Sequence, residues 1–112
     1  MSRRILIALL GLGLALFLTP RVGFALDDHV AQAVSHTQEA IDHGKMGHAD
    51  VLVTHASVAL THAEAAEKAK ANPHTAEGIK HLKEAIEHGK KGHAAEATTH
   101  AEAAMTHLQQ AK

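Results

Sequence analysis

The histidines of this chain fall at positions 29, 36, 43, 48, 55 and 62 and again at 74, 81, 88, 93, 100 and 107, the second six repeating the first at an offset of 45 residues. Within each set the steps read 7, 7, 5, 7, 7. Seven residues make nearly two turns of α-helix, with a drift of about 20° per step, so each run of three is a stripe along one helix face. Neighbours in a stripe lie roughly 10 Å apart at a rise of about 1.5 Å per residue. That is too far to share an ion sitting about 2 Å from each ring nitrogen, and one helix alone cannot chelate in this way.

The step of five supplies the missing geometry. It spans Gly44-Lys45-Met46-Gly47 in the first half and Gly89-Lys90-Lys91-Gly92 in the second. Both read as a helix stop and a tight reversal, with Gly44 and Gly89 suited to the left-handed position after a helix end. Folding back there pairs His43 with His48, His36 with His55 and His29 with His62. The second hairpin pairs His88 with His93, His81 with His100 and His74 with His107. Each hairpin thus offers three two-histidine rungs, an arrangement that points to metal coordination.

The punctuation predicts four helices. Asp27 and Asp28 are candidate caps for a helix running to His43, and a second runs from about His48 to Lys70. Asn72 and Pro73, suited to a cap and a first helical turn, open a third to His88. A fourth runs from about His93 to Ala111. Alanine, glutamate and lysine fill the intervals and favour helix. The apolar faces take Val30, Ala33, Val34, Ala40 and Ile41 in the first, and Val51, Leu52, Val58, Ala59 and Leu60 in the second. In the third they take Ile79, Leu82, Ala85 and Ile86. The fourth, with Ala97, Ala101, Ala104, Met105 and Leu108, reads as the weakest partner. The segment Glu-Ala-Ile-acid-His-Gly-Lys-x-Gly-His-Ala recurs at 39–49 and 84–94, the mark of a duplicated hairpin. The expected fold is all-α, an up-down four-helix bundle made of two such hairpins.

Residues 1–25 stand apart. Arg3 and Arg4 precede an apolar run from Ile5 to Leu18, then Pro20 and Gly23-Phe24-Ala25. This is the pattern of a secretory signal cleaved after Ala25, and it places the product, residues 26–112, in the periplasm. An uncleaved anchor is the rival, but the run is shorter than the ~20 residues a spanning helix needs. Cleavage would leave eight basic against twelve acidic residues, a net charge of −4 with neutral histidine. Nucleic acid is not the expected partner of such a domain, nor is a membrane after cleavage. Without cysteine there is neither a disulfide frame nor a thiolate site. Both phenylalanines lie in the leader, so only small and aliphatic side chains remain for the core, and modest stability without metal is expected.

Imidazole suits Cu(II), Ni(II), Zn(II) and Co(II), with Cu(II) highest in the usual affinity order. Glu39, Glu77, Glu84 and Glu96 stand three residues after one histidine and four before the next, beside them on the helix surface. They are candidate accessory ligands or orienting groups for imidazole, and helix solubility is the plainer account of them. For the ladder itself the competing account is a metal-independent, pH-sensitive structural or stress bundle whose imidazoles charge near pH 5, taking the net charge from −4 to as much as +8. Catalysis finds little support. No Ser-His-Asp set or Gly-rich phosphate loop stands out, and the Glu-x-x-His signature of di-iron bundles is absent. Met46 and Met105, far apart in sequence, are poor evidence for a Cu(I) site.

The seven-residue histidine steps, the repeated His-Gly-Lys-x-Gly-His turns at 43–48 and 88–93, the exported precursor and the segment from Lys80-His81-Leu82 to Ala85-Ile86 together resemble the small metal-binding protein family of nitrifying and related bacteria. The resemblance covers essentially all of residues 26–112. It implies a monomeric periplasmic four-helix bundle that binds several divalent ions, copper foremost, with a part in copper management. All twelve histidines carry over position by position. The carboxylates do so less evenly, since Gln32 stands where the second hairpin has Glu77, and Val51 where it has Glu96. The function expected is multisite metal binding and buffering without enzymatic activity. A metallochaperone delivering copper to an acceptor is the alternative within that class.

Overall fold

The computed structural model describes residues 25–111. The expected leader, residues 1–25, lies outside the described residues apart from Ala25. Among those described are four helices and no strand: α1 (Ala25–Lys45), α2 (Ala49–Ala69), α3 (Pro73–Lys90) and α4 (Ala94–Gln110). Helix α1 packs against α2 and α4, and α3 packs against the same two, with only slight contact along the α2–α4 diagonal. Short connections make neighbours antiparallel, and the result is the up-down bundle of two hairpins. No helix among the described residues is long and apolar enough to cross a membrane.

The helix starts differ in chemistry. Asn72 caps α3, its side chain accepting the His74 backbone N–H at 2.8 Å, and Pro73 occupies the first turn. Helix α1 is already under way at Ala25, so positions 27 and 28 lie within it and not ahead of it. Helices α2 and α4 follow His48 and His93, neither of which makes a side-chain capping bond.

The turns correct the glycine assignment. Positive φ falls on the second glycine of each turn, Gly47 at 80° and Gly92 at 79°. His48 N–H reaches His43 C=O at 2.9 Å and Gly47 N–H reaches Gly44 C=O at 3.0 Å; His93 to His88 and Gly92 to Gly89 repeat this at 3.0 Å each. These paired bonds make a Schellman motif, which needs its left-handed residue just before the last donor. Gly44 and Gly89 are helical and buried, and they are needed for space. A Cβ on Gly44 would stand 2.7 Å from Leu52 Cδ1, and one on Gly89 would stand 3.3 Å from Leu52 Cδ2 and nearer still to Val53 Cγ2.

The core is built from small residues. Helix α2 buries Leu52, Ala56, Ala59, Ala63 and Ala66, and α4 buries Ala97, Ala101, Ala104, Met105 and Leu108. Helix α4 therefore buries every apolar residue named for it and is not the weak partner its composition suggested. In α2 the expected Val51 and Val58 do not join the core; Val58 is 37% exposed. They precede Leu52 and Ala59 by one position, about 100° around the helix, where the stripe facing α1 and α3 has already turned away. The duplicated hairpins fit because equivalent positions differ in size. Leu82 answers Thr37, Leu52 answers Ala97 and Leu108 answers Ala63, all fully buried. Thr37 meets its burial by donating to Ala33 C=O at 2.6 Å.

Candidate metal centre

Two histidine seams run along the bundle, one between α1 and α2 and one between α3 and α4. In the first, ring centres lie 5.3 Å apart for His29 and His62, 5.9 Å for His36 and His55, and 5.9 Å for His43 and His48. In the second the separations are 5.7 Å for His74 and His107, 5.8 Å for His81 and His100, and 6.1 Å for His88 and His93. The turn explains the innermost rung. Its 6→1 backbone bond runs between the two histidines themselves, so a step of five is the spacing that sets the rings opposite each other.

Spacing along a single helix did not reveal what happens between rungs. His36 also lies 6.0 Å from His62, and His43 lies 5.5 Å from His55; in the second seam the matching distances are 5.7 Å for His81 and His107 and 5.2 Å for His88 and His100. These diagonal neighbours are stacked and as close as the rung partners. Each seam is thus a continuous zigzag of six imidazoles. Every described ring contact stays within one hairpin, so the rungs do not combine across hairpins into four-histidine sites.

Carboxylates close three points of the seams. Glu39 Oε1 lies 3.1 Å from His36 Nδ1 and 3.3 Å from His55 Nδ1. Glu84 Oε1 lies 3.3 Å from both His81 Nδ1 and His100 Nδ1. Glu77 joins His81 and His107, and in all three groups one donor atom per residue lies within 4.8 Å of the others. The sequence placed Glu39 and Glu84 between histidines of their own helix, whereas each reaches one of these and then crosses to the facing helix. Helical spacing hides that reach, but it follows once the rung pairing is known. Glu77 likewise keeps His81 from its own helix but takes His107 in place of His74. Glu96 enters no such group among the described residues.

The donors fit a divalent transition ion. Neutral nitrogen and carboxylate oxygen suit Cu, Ni, Zn and Co, and an ion about 2 Å from each ring nitrogen holds ring centres no more than about 6 Å apart. The Nδ1 atoms of His36, His43, His81 and His88 are buried without a hydrogen-bond partner. Of these, His36 and His81 have a carboxylate oxygen close by, Glu39 Oε1 at 3.1 Å and Glu84 Oε1 at 3.3 Å. The four atoms stand at equivalent positions of the duplicated hairpin. The seams are also open. The side chains of His36, His55 and Glu39 are 27%, 23% and 50% exposed, and His48 and His93 at the turns are exposed. The first middle rung and the two turn histidines are thus partly open to solvent. The Thr98 hydroxyl, beside the Gly44 backbone, is engaged by Ala94 C=O at 2.7 Å.

Positive charge is disfavoured at His62. Burial first, then the neighbouring His29 and His36, hold the His62 pKa below the usual 6.5, against a smaller upward pull from Asp28. His62 thus favours the neutral form that donates to a metal. In the same rung His29 Nδ1 and His62 Nδ1 are 3.0 Å apart, and His74 Nδ1 and His107 Nδ1 are 3.4 Å apart. Each approach is a hydrogen bond when one nitrogen carries a proton and the other presents its lone pair.

A family model described as small metal-binding protein matches residues 3–111 of the chain. No curated protein matches it.

Proposed function

Since the chain belongs to the small metal-binding protein family, we propose that it is an exported, non-enzymatic buffer for divalent transition ions, with Cu(II) its foremost cargo. The observation that carries this reading is the pair of imidazole zigzags with carboxylates closing their middle rungs. Cu(II) is favoured because nitrogen-rich sites follow the usual affinity order, in which it stands highest; Ni(II), Zn(II) and Co(II) compete for the same donors. A seam of six rings holds at most three ions at two rings each. The middle rungs, with three donors, fill first.

Half-exposed sites of two or three protein ligands leave coordination positions to water, which suits uptake and release over a range of concentrations. Release is favoured as pH falls, because protons compete for the same nitrogens. The leader pattern supports export to the periplasm, and a monomer suffices because each seam is complete within one hairpin. The metal-independent pH-sensitive bundle, in which the same carboxylates would pair with protonated rings, is less well supported, since it leaves the family's metal binding out of account.

The test is a titration of the protein with Cu(II), Ni(II) and Zn(II) at about pH 7.5, where imidazole is mostly neutral, with stoichiometry read by native mass spectrometry and affinity by calorimetry. Several Cu(II) ions at micromolar or tighter affinity, with one lost when His36 and His55 are both replaced by alanine, is the expected result. Binding no stronger than that of a short histidine peptide overturns the buffer.

A further inference from the structure

The two seams share the same rings in the same order but differ in one carboxylate that enters a donor group. Around the middle of the first hairpin there is one three-donor group, His36, Glu39 and His55. Around the middle of the second there are two, His81, Glu84 and His100 beside Glu77, His81 and His107. The ring geometry does not cause this, since the diagonal pairs are nearly equal at 6.0 Å for His36 and His62 and 5.7 Å for His81 and His107. The cause is residue 32, a glutamine where the duplicate carries Glu77. A neutral amide is a poor donor to a divalent ion beside a carboxylate.

The two groups of the second hairpin overlap at His81. Its Nδ1 is buried, with Glu84 Oε1 3.3 Å away. A neutral imidazole has one lone pair to donate, its other nitrogen carrying the proton, so the two groups cannot both hold an ion through His81 at once. An ion in either group nevertheless has the other group's donors adjacent. Exchanging Glu84 and His100 for Glu77 and His107, one ligand at a time, moves the ion along the seam without returning it to water.

We propose that His81 is a pivot ligand on which a divalent ion steps between two stations of the second hairpin, whereas the first hairpin, with one station, holds its ion in place. This rests on the metal-binding reading above and assigns the hairpins different work. The step lies between the half of the seam nearer the exposed His93 turn and the half nearer the Asn72-Pro73 connection, so the second hairpin is a conducting seam and the first a storing one.

The test uses the full chain with 15N-labelled histidine and Zn(II) alone as a diamagnetic probe, read by imidazole NMR. Glu77→Gln and Gln32→Glu serve as variants, both at exposed positions where substitution rarely disturbs folding. With zinc limited to one equivalent per hairpin, so that the outer rungs stay unfilled, the unsubstituted protein is expected to show shifts at both His100 and His107 and exchange broadening at His81. Glu77→Gln should abolish the His107 shift and sharpen His81, and Gln32→Glu should produce the same broadening at His36 with a new shift at His62. A single sharp zinc-bound His81 state in the unsubstituted protein, or a Gln32→Glu variant with unchanged His36 and His62 signals, overturns the pivot while leaving zinc binding intact. If zinc alters no seam ring at all, the metal-binding reading fails and the pivot fails with it.

Discussion

His48 and His93 stand where a helix ordinarily carries Ser, Thr, Asp or Asn, and neither ring caps the helix that follows. The chain uses Asn72 for that purpose where no histidine is required, so the two turns forgo a cap in favour of a ring at the end of each seam. His48→Ser should therefore raise the stability of the metal-free protein by about 1 kcal/mol, measured by urea denaturation, while lowering the Cu(II) stoichiometry or affinity. A variant that is both less stable and unchanged in copper binding would contradict this account. Glu39 is the other residue whose position separates ligand from ornament. As a group lying against both His36 and His55, its replacement in Glu39→Gln should weaken the tightest site of the first hairpin by roughly 10-fold to 100-fold, the range seen when groups supporting a metal site are lost. Calorimetry on the variant decides it, because a glutamate present only for solubility would leave affinity unchanged.

At the level of elements, the two glycines of each turn do different jobs and should fail differently. Gly47→Ala strains a backbone at φ 80° with open space around it, which costs about 1–2 kcal/mol. Gly44→Ala keeps a helical backbone but drives a methyl into Thr98 and Leu52, an overpacking cost of about 1–3 kcal/mol that a second substitution, Thr98→Ala, should partly relieve by removing the nearest atom. Denaturant midpoints for the single and double variants separate strain from crowding, since no such relief is expected for Gly47→Ala. The sequence made the rungs legible because helical period and a five-residue turn are local facts. It misassigned Gly44 because a stop glycine and a close-packing glycine look alike until the neighbouring helix is known. Val51 and Val58 were misread for a related reason. In a core made largely of alanine, hydrophobicity is a weak guide to facing, and the heptad through Leu52, Ala56, Ala59 and Ala63 decides it. The diagonal ring contacts and the cross-helix reach of Glu39 and Glu84 depend on how two helices are staggered, which no single-helix pattern contains.

For the whole molecule, acid and metal act in opposite directions on the same rings. Because the folded-state pKa of His62 lies below 6.5, the native protein binds fewer protons than the unfolded chain between the two values. Its contribution to stability is therefore complete above about pH 6.5 and is lost as pH falls through the lower folded value. Thermal melts of the metal-free protein should decline over that window, and His62→Gln should flatten the decline. Copper in excess should raise the melting temperature, since a ligand at 100 times its dissociation constant adds about 2.7 kcal/mol per site, with less gain at acid pH. The separation of the seams has a mechanical side. Metal bonds would staple α1 to α2 and α3 to α4, but nothing in either seam bridges the two hairpins, which meet through buried alanines and leucines and through exposed pairs such as Lys45 with Glu102 at 3.5 Å and Lys83 with Glu64 at 3.9 Å. The loaded protein is then a book of two stiffened leaves held by a soft apolar binding, and force or denaturant would part the leaves before it tore either one.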